Sequence, residues 1–512
     1  MALRLHWSFG FRAARVVLGV AALSAPALAQ TPVPAPPSAV PPAPVAAPPA
    51  PAPAPVAPAP APVAPAPAPS VAPAPVVPEE PLPVGVGSLP ELPPPTSADA
   101  SAAATGDVAP AADDDWYDSF DVHLFADAYF NWNYNSPKPQ SVVNDVTRAF
   151  DSGNGFSLAW AGLDVSHAAD PIGGALSLRF GPAARRYNAS CPGGSAKCDA
   201  AYGLENVKQA FASWRPAGEG SKVTLDFGKF DTIYGAEVAE SQGNINYTRG
   251  VLYWLGQPAF HTGLRFNAEL SPNVIVRALA VNGWNNTIDN NTGKTFGLQV
   301  TGHAARNDSR DWLAASLGYL GGPEQDDTLP VVCAAGSAFD ASSPSGCTVG
   351  GTGKSTGALD RPTNNTKGWR HFVDLVVTSD PSDELHLVLN ADLGVEGQRV
   401  AKDATQFASH SWLGGMIGAR YLVAPSFAVA GRGELYKDKD GVTTGSEADG
   451  TPITGATIAT GTLTLDYLPG KNLMLRLDNR VDRSTKEIFP KGLRDRVGTL
   501  FTTTLGVVVS TN

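Results

Sequence analysis

The chain predicts an all-β fold, an antiparallel transmembrane β-barrel of about sixteen strands, and three observations lead there. From Asp121 onward the dominant hydrophobic period is two, in segments of about ten residues. The connections between these segments alternate in length, brief turns at one end and long loops at the other. The faces opposite the apolar ones are dense with charge, which a packed sandwich core could hold only at heavy desolvation cost.

The first part of the 512 residues lies outside that pattern. Residues 1–29 read as a secretory signal peptide. Arg4, Arg12 and Arg15 make a basic start, VVLGVAALSAPALA is a short apolar run, and Ala27-Leu28-Ala29 offers a small-residue cleavage site. No Cys follows that site, so a lipoprotein-type anchor is not expected. Residues 30–115 read as a disordered linker, almost wholly Pro, Ala and Val as far as Pro95, a composition that removes backbone donors and favours polyproline conformation. At about 3.1 Å per residue, the Pro-rich part fully extended would reach on the order of 200 Å. Asp113, Asp114 and Asp115 close it, and 116–512 is left for the barrel.

Composition narrows the partners. Beyond the signal, no window approaches the run of about eighteen apolar residues that a spanning helix needs. A net charge of −11, without basic clusters interleaved with aromatics, argues against nucleic acid.

Along the barrel, DVHLFADAYFNW puts Val122, Leu124, Ala126, Ala128 and Phe130 on one face and Asp121, His123, Phe125, Asp127, Tyr129 and Asn131 on the other. Further strands are predicted near 156–166, 173–181, 205–214, 221–230, 260–270, 273–283, 294–303, 311–320, 369–379, 384–394, 410–423, 426–437, 454–468, 472–482 and 496–509. HAADP, RPAGEG, SPN, ARNDSR, DPSDE, AP and LPGK are the short turns; 133–155, 182–204, 231–259, 321–368, 395–409, 438–453 and 483–495 are the long loops. In NLMLRLDNRVDRS, Leu473, Leu475 and Leu477 share one face while Arg476, Asp478, Arg480 and Asp482 share the other, as expected of a wall between lipid and a water-filled lumen. Trp132, Trp214, Tyr319, Trp369, Tyr421 and Tyr467 fall near strand ends, where interfacial girdles belong.

One connection is unlike the rest. Residues 231–259 carry Asp231, Glu237, Glu240 and Arg249 with Tyr234, Tyr247, Tyr253 and Trp254, a composition suited to a loop that folds against something.

The blocks FADAYFNWNYN, LDFGKF followed by GAEVAESQGNINYTRG, FHTGLRF, VNGWNNTIDNNTGKTFGLQV, GRGELYKDKDG and LRLDNRVDRS resemble the bacterial outer-membrane putative β-barrel porin-2 family, from about Phe120 to Val509. The resemblance implies a channel in the outer membrane of a Gram-negative bacterium, set in lipid with the linker in the periplasm. It would pass small hydrophilic solutes or ions by diffusion, with no cofactor and no chemical step. By analogy with sixteen-strand porins, whose third long loop commonly folds inward, the 231–259 loop is the expected constriction. A homotrimer is an arrangement many such channels adopt, and the linker is a candidate contact with the cell wall. One departure is the ending LGVVVSTN, where many outer-membrane barrels finish on an aromatic residue.

The candidate pore residues follow from parity. If Leu264 and Phe266 face lipid, His261 and Arg265 face the lumen, as do Arg179, Arg432, Arg476 and Arg480. Asp231, Glu237 and Glu240 are placed to oppose some of these across the narrowest point, and opposed charge sets selectivity. Cys191 with Cys198 and Cys333 with Cys347 are the expected disulfides, each within one loop. No metal site is expected, since no His/Cys cluster has ligand spacing. YKDKDGVTTGSE only partly matches a calcium loop at Asp438, Asp440, Gly441 and Glu447, and VGGTGKST lacks the strand-to-helix setting of a phosphate loop. Two other classes stay open: a surface receptor or adhesin working through its long loops, and a barrel-wall hydrolase. For the latter His123, His261, His371 and His386 are available, but no local motif identifies a nucleophile.

Overall fold

A computed structural model describes residues 119–511 apart from 140–147, 149–150, 152, 190–202, 308–309, 335, 341, 344–345, 352, 361–367, 401–402 and 446–452. The signal peptide, the linker, Cys191, Cys198 and Glu447 lie outside the described residues.

Strict alternation makes strands because successive side chains point to opposite faces and each face meets a different solvent. The strands are β1 (Phe120–Asn133), β2 (Gly155–His167), β3 (Ile172–Phe180), β4 (Val207–Trp214), β5 (Val223–Asp231), β6 (Phe260–Ser271), β7 (Val274–Val281), β8 (Thr295–Asn307) and β9 (Arg310–Pro323). Four short loop strands follow, β10 (Thr328–Val332), β11 (Ser337–Phe339), β12 (Cys347–Val349) and β13 (Thr356–Asp360). Then come β14 (Trp369–Ser379), β15 (Leu385–Val400), β16 (Asp403–Ala424), β17 (Phe427–Asp438), β18 (Ala456–Gly470), β19 (Leu473–Ser484), β20 (Phe489–Lys491), β21 (Asp495–Val497) and β22 (Thr499–Ser510). A seven-residue helix, α1 (Pro182–Asn188), sits in the second long loop.

Sixteen of these strands close a barrel in the order β1 to β9, β14 to β19, β22, each antiparallel to its neighbours. Closure is made by β1 against β22, with Phe125 opposite Ser510 and Asn133 opposite Thr502. No edge is left in the ring, so every strand finds partners on both sides. Phe120 and Ser510 both lie at the short-turn end.

The outward face is apolar. Leu124, Leu298, Val300, Leu413, Ile417, Leu463, Leu465 and Leu505 are exposed, and Trp132, Trp214, Tyr319, Tyr421 and Tyr467 stand outward near strand ends.

Two loop expectations change. Within 395–409, residues 395–400 and 403–409 are strand: β15 and β16 continue as a pair, with Glu396 opposite His410 and Arg399 opposite Phe407. The sequence there carries no run of alternating apolar residues, so no period of two marks it. The 321–368 loop contains two small sheets, β10 with β13 and β11 with β12. They are stapled by the Cys333–Cys347 disulfide, whose Cα atoms are 5.7 Å apart.

The lumen departs more from expectation. Arg476, Asp478, Arg480 and Asp482 do face inward, but each is at most 2% exposed. Where water was expected, Arg148 of the first long loop bonds Asp482 at 2.9 Å, and the 231–259 segment bonds Arg476, Asp478 and Arg480. Its apolar side chains enter three lumenal clusters. Ile245, Val251, Leu252 and Leu255 pack with Trp412, Met416 and Tyr436. Tyr247 and Tyr253 pack with Phe125, Trp160 and Tyr187, and Tyr234 packs with Leu279, Leu320 and Phe372. Burying a side chain such as Leu252 contributes about 1.5–3 kcal/mol, so the segment has an apolar reason to enter the barrel as well as a polar one.

Candidate functional site

The segment leaves β5 and returns at β6 through a tied neck. The amide of Thr232 donates to Ala259 O at 3.0 Å. His261 is wholly buried there, with Nε2 3.1 Å from Thr232 Oγ1 and Nδ1 3.0 Å from Gly283 O. This histidine braces the neck. Asn285 Oδ1 accepts from the amide of Ala259 at 2.6 Å, closing the same corner.

From the neck the chain crosses the lumen. A buried loop must satisfy its own amides and carbonyls without water, and here wall side chains supply the partners. Tyr234 Oη donates to Tyr319 O on β9 at 2.8 Å, and Ala236 N donates to Asn390 Oδ1 on β15 at 2.9 Å. Tyr247 N and Thr248 N donate to Asp478 on β19 at 3.2 and 2.8 Å, and Leu252 N to Glu434 on β17 at 3.0 Å. In the reverse sense Trp412 Nε1 on β16 donates to Gly256 O at 3.0 Å, and Arg480 Nη1 to Arg249 O at 2.6 Å. Arg476 Nη1 donates to Asn246 O at 3.2 Å and also to Ser241 O.

Side chains complete the belt. Ser241 Oγ and Tyr247 Oη both donate to Asp127 on β1, each at 2.6 Å, and Asn246 Nδ2 donates to Thr464 on β18 at 2.6 Å. Glu240 sits between Arg179 on β3, at 2.8 Å, and Lys208 on β4, at 2.7 Å. Burial alone would push the Glu240 carboxyl up, but Lys208 and Arg179 outweigh it and hold the group below the usual range. Glu237 accepts from Arg432 on β17 and from Gly250 N, the latter at 2.8 Å.

Of the predicted residues, Glu237, Glu240, Arg432, Arg476 and Arg480 are therefore in one network. Asp231 belongs to its edge through Lys208, 2.8 Å away, a residue the sequence reasoning did not select. Arg265 stands apart: it is paired with Asp226 on β5 at 2.8 Å and lies over the rings of Phe211 and Phe230. Of the missed partners, Asp127, Asp478 and Glu434 sit on inward parity positions, so the strand alternation was the available signal for them. Lys208 shares the parity of the exposed Ala210, Ala212 and Trp214 and is turned inward by a bulge in the β3–β4 pairing, which alternation does not show.

Other singled-out residues are spread out. His123 faces Asp164 at 3.4 Å, His371 faces Tyr319 Oη at 2.8 Å, and His386 faces Asp380 at 2.8 Å. Asp438 caps its own turn, accepting from the amides of Gly441, Val442, Thr443 and Thr444 and from two threonine hydroxyls. Its oxygens are committed to the turn. Among the described residues no group of three or more His, Cys, Asp or Glu is arranged to hold a metal.

A protein family described as putative beta-barrel porin-2, OmpL-like, matches residues 119–510. No curated protein matches the chain. Among solved structures, the outer-membrane expressed OmpT of Vibrio cholerae is similar at 11% identity and a TM-score of 0.43, over 76% of this chain and 97% of that one. The anion-selective porin from Comamonas acidovorans is similar at 11% identity and 0.42, over 77% and 99%. The high pH structure of Pseudomonas putida OprB is similar at 12% identity and 0.43, over 77% and 94%.

Proposed function

The chain belongs to the putative beta-barrel porin-2, OmpL-like family, and on that premise we propose that this outer-membrane porin passes small hydrophilic solutes or ions by diffusion. The 231–259 segment is its constriction. No bond is made or broken in the solute.

One observation carries this reading: the segment is bonded to strands on opposite sides of the ring. Its neck lies at β5 and β6, while Glu237 and Asn246 reach β17 and β18, the far side of the closed order. Any solute crossing the lumen then passes charged groups held by this segment, and fixed opposed charges favour polar solutes over apolar ones. The short-turn end, where Phe120 enters the barrel, faces the periplasm in this reading and takes the linker with it; the long loops face outward. A homotrimer and a cell-wall contact through the linker are compatible with that orientation.

Swelling of proteoliposomes in sugars of increasing size tests it. Entry of small sugars with a cut-off at larger ones is expected, and absence of any entry would contradict the proposal.

A further inference from the structure

A second feature lies beside the charged belt, toward the long-loop end. Trp254, Trp284 and Trp412 line a cavity of about 330 Å³ together with Arg186 and Arg370. No acidic side chain lines it among the described residues.

Its members are held in place. Arg370 lies 4.8 Å from the Trp284 ring centre and 5.5 Å from that of Trp412, and is fixed from behind by Glu396 at 2.8 Å. The two indoles meet edge to face at 6.0 Å. Trp412 is tethered through Nε1 to Gly256 O, and the Trp284 amide is bound by Glu324 at 2.7 Å. Arg186, on α1, stands 5.3 Å from the ring centre of Trp254 and donates to Arg148 O at 3.0 Å. Trp254 and Trp284 are each only half-buried, so ring surface remains for a visitor.

Indole faces reward a ring, and guanidinium N–H groups reward a carboxylate, which they bind through charge-assisted hydrogen bonds. The volume sits at the small end for ligand pockets. We propose that this cavity binds a small organic carboxylate bearing a single ring. The ring packs on Trp254 and Trp284, and the carboxylate accepts from Arg186. The site sits on the approach to the constriction and concentrates such anions there.

Benzoate is the probe, with acetate supplying the charge alone and benzyl alcohol the ring alone. Titration calorimetry on the full-length protein in detergent reads binding without any ion flow, so its outcome is independent of whether the barrel conducts. Benzoate should bind at least tenfold more tightly than either fragment, and Arg186→Gln and Trp254→Ala should each weaken it about tenfold. Arg186→Lys, which retains the charge, should keep most of the affinity, and heat-modifiable migration on a gel verifies that each variant is a folded barrel. Equal binding of acetate or benzyl alcohol, no benzoate binding, or unchanged affinity in both folded variants would overturn the proposal.

Discussion

Arg432 on β17 donates to Glu237, a residue carried by the connection after β5, on the opposite side of the ring. The two are 195 positions apart in sequence, and their bond means that the segment crosses the lumen rather than lining one wall. Both are buried, so the pair is held without the solvent screening that makes surface ion pairs weak.

Charge at this crossing should set ion preference. Replacing Glu237 and Glu240 together by Gln removes one carboxylate each from Arg432, Arg179 and Lys208, leaving them Glu434, Asp164 and Asp231. The reversal potential under a salt gradient should move toward anions. An unchanged potential would place the segment away from the ion path. Breaking a buried pair by removing one partner costs about 3–5 kcal/mol, so the variants should also unfold at lower urea concentration.

Close packing of the segment is testable at Gly506. A Cβ there would lie 2.2 Å from ring atoms of Tyr247, so Gly506→Val must push the tip off β22. A clash of this kind costs about 1–3 kcal/mol. The Asp127 tie to Tyr247 should loosen, seen as larger current noise and earlier urea unfolding. Gly461→Ala, whose Cβ would meet only an ordinary 3.8 Å contact, is the matched control and should behave as wild type.

Glu324 gives a pH dependence. It accepts from the Trp284 amide at 2.7 Å and from Thr295 Oγ1 at 2.8 Å; burial pushes its carboxyl up to about 7, with Arg370 pulling the other way. The folded protein keeps this proton to about pH 7, whereas the unfolded chain releases it near the ordinary value of 4.5. Between those values the folded state binds more protons, so this group's contribution makes stability fall as pH rises. Urea unfolding of Glu324→Gln should show a smaller fall from pH 4.5 to 7 than wild type; an identical pH profile would refute the assignment.

The disulfide should act locally. Closing a loop of this length contributes about 3 kcal/mol by restricting the unfolded chain. Because Cys333 and Cys347 join small sheets outside the barrel order, the double Ser variant should conduct normally while trypsin or elastase nicks 324–368 faster. Loss of the folded barrel would contradict this.

The barrel was legible because lipid on one face and charge on the other impose the period of two on every spanning strand; all sixteen expected strands have counterparts in the ring. The pairing across the short LPGK turn, Arg476 opposite Asp466 and ion-paired at 3.0 Å, was not read from the sequence. Where no run of alternating apolar residues marks a strand the signal fades, which is why 395–409 read as a loop. Least legible was the lumen. Inward parity says that Asp127 and Asp478 face the interior, though not Lys208, which a bulge turns inward; nor does it say that a segment from β5 will meet them, because that depends on the path of a chain with no period of its own. The glycines on which Tyr234 and Tyr247 pack, Gly318 and Gly506, carry that information only once the path is known.

The most direct measurement compares unitary conductance in planar bilayers of the native protein and a variant with 235–258 replaced by a short Gly/Ser linker, both confirmed as folded by heat-modifiable migration. Stable steps are expected from the native protein and distinctly larger steps from the variant. Equal steps, or no steps from the native protein, would contradict the proposed function.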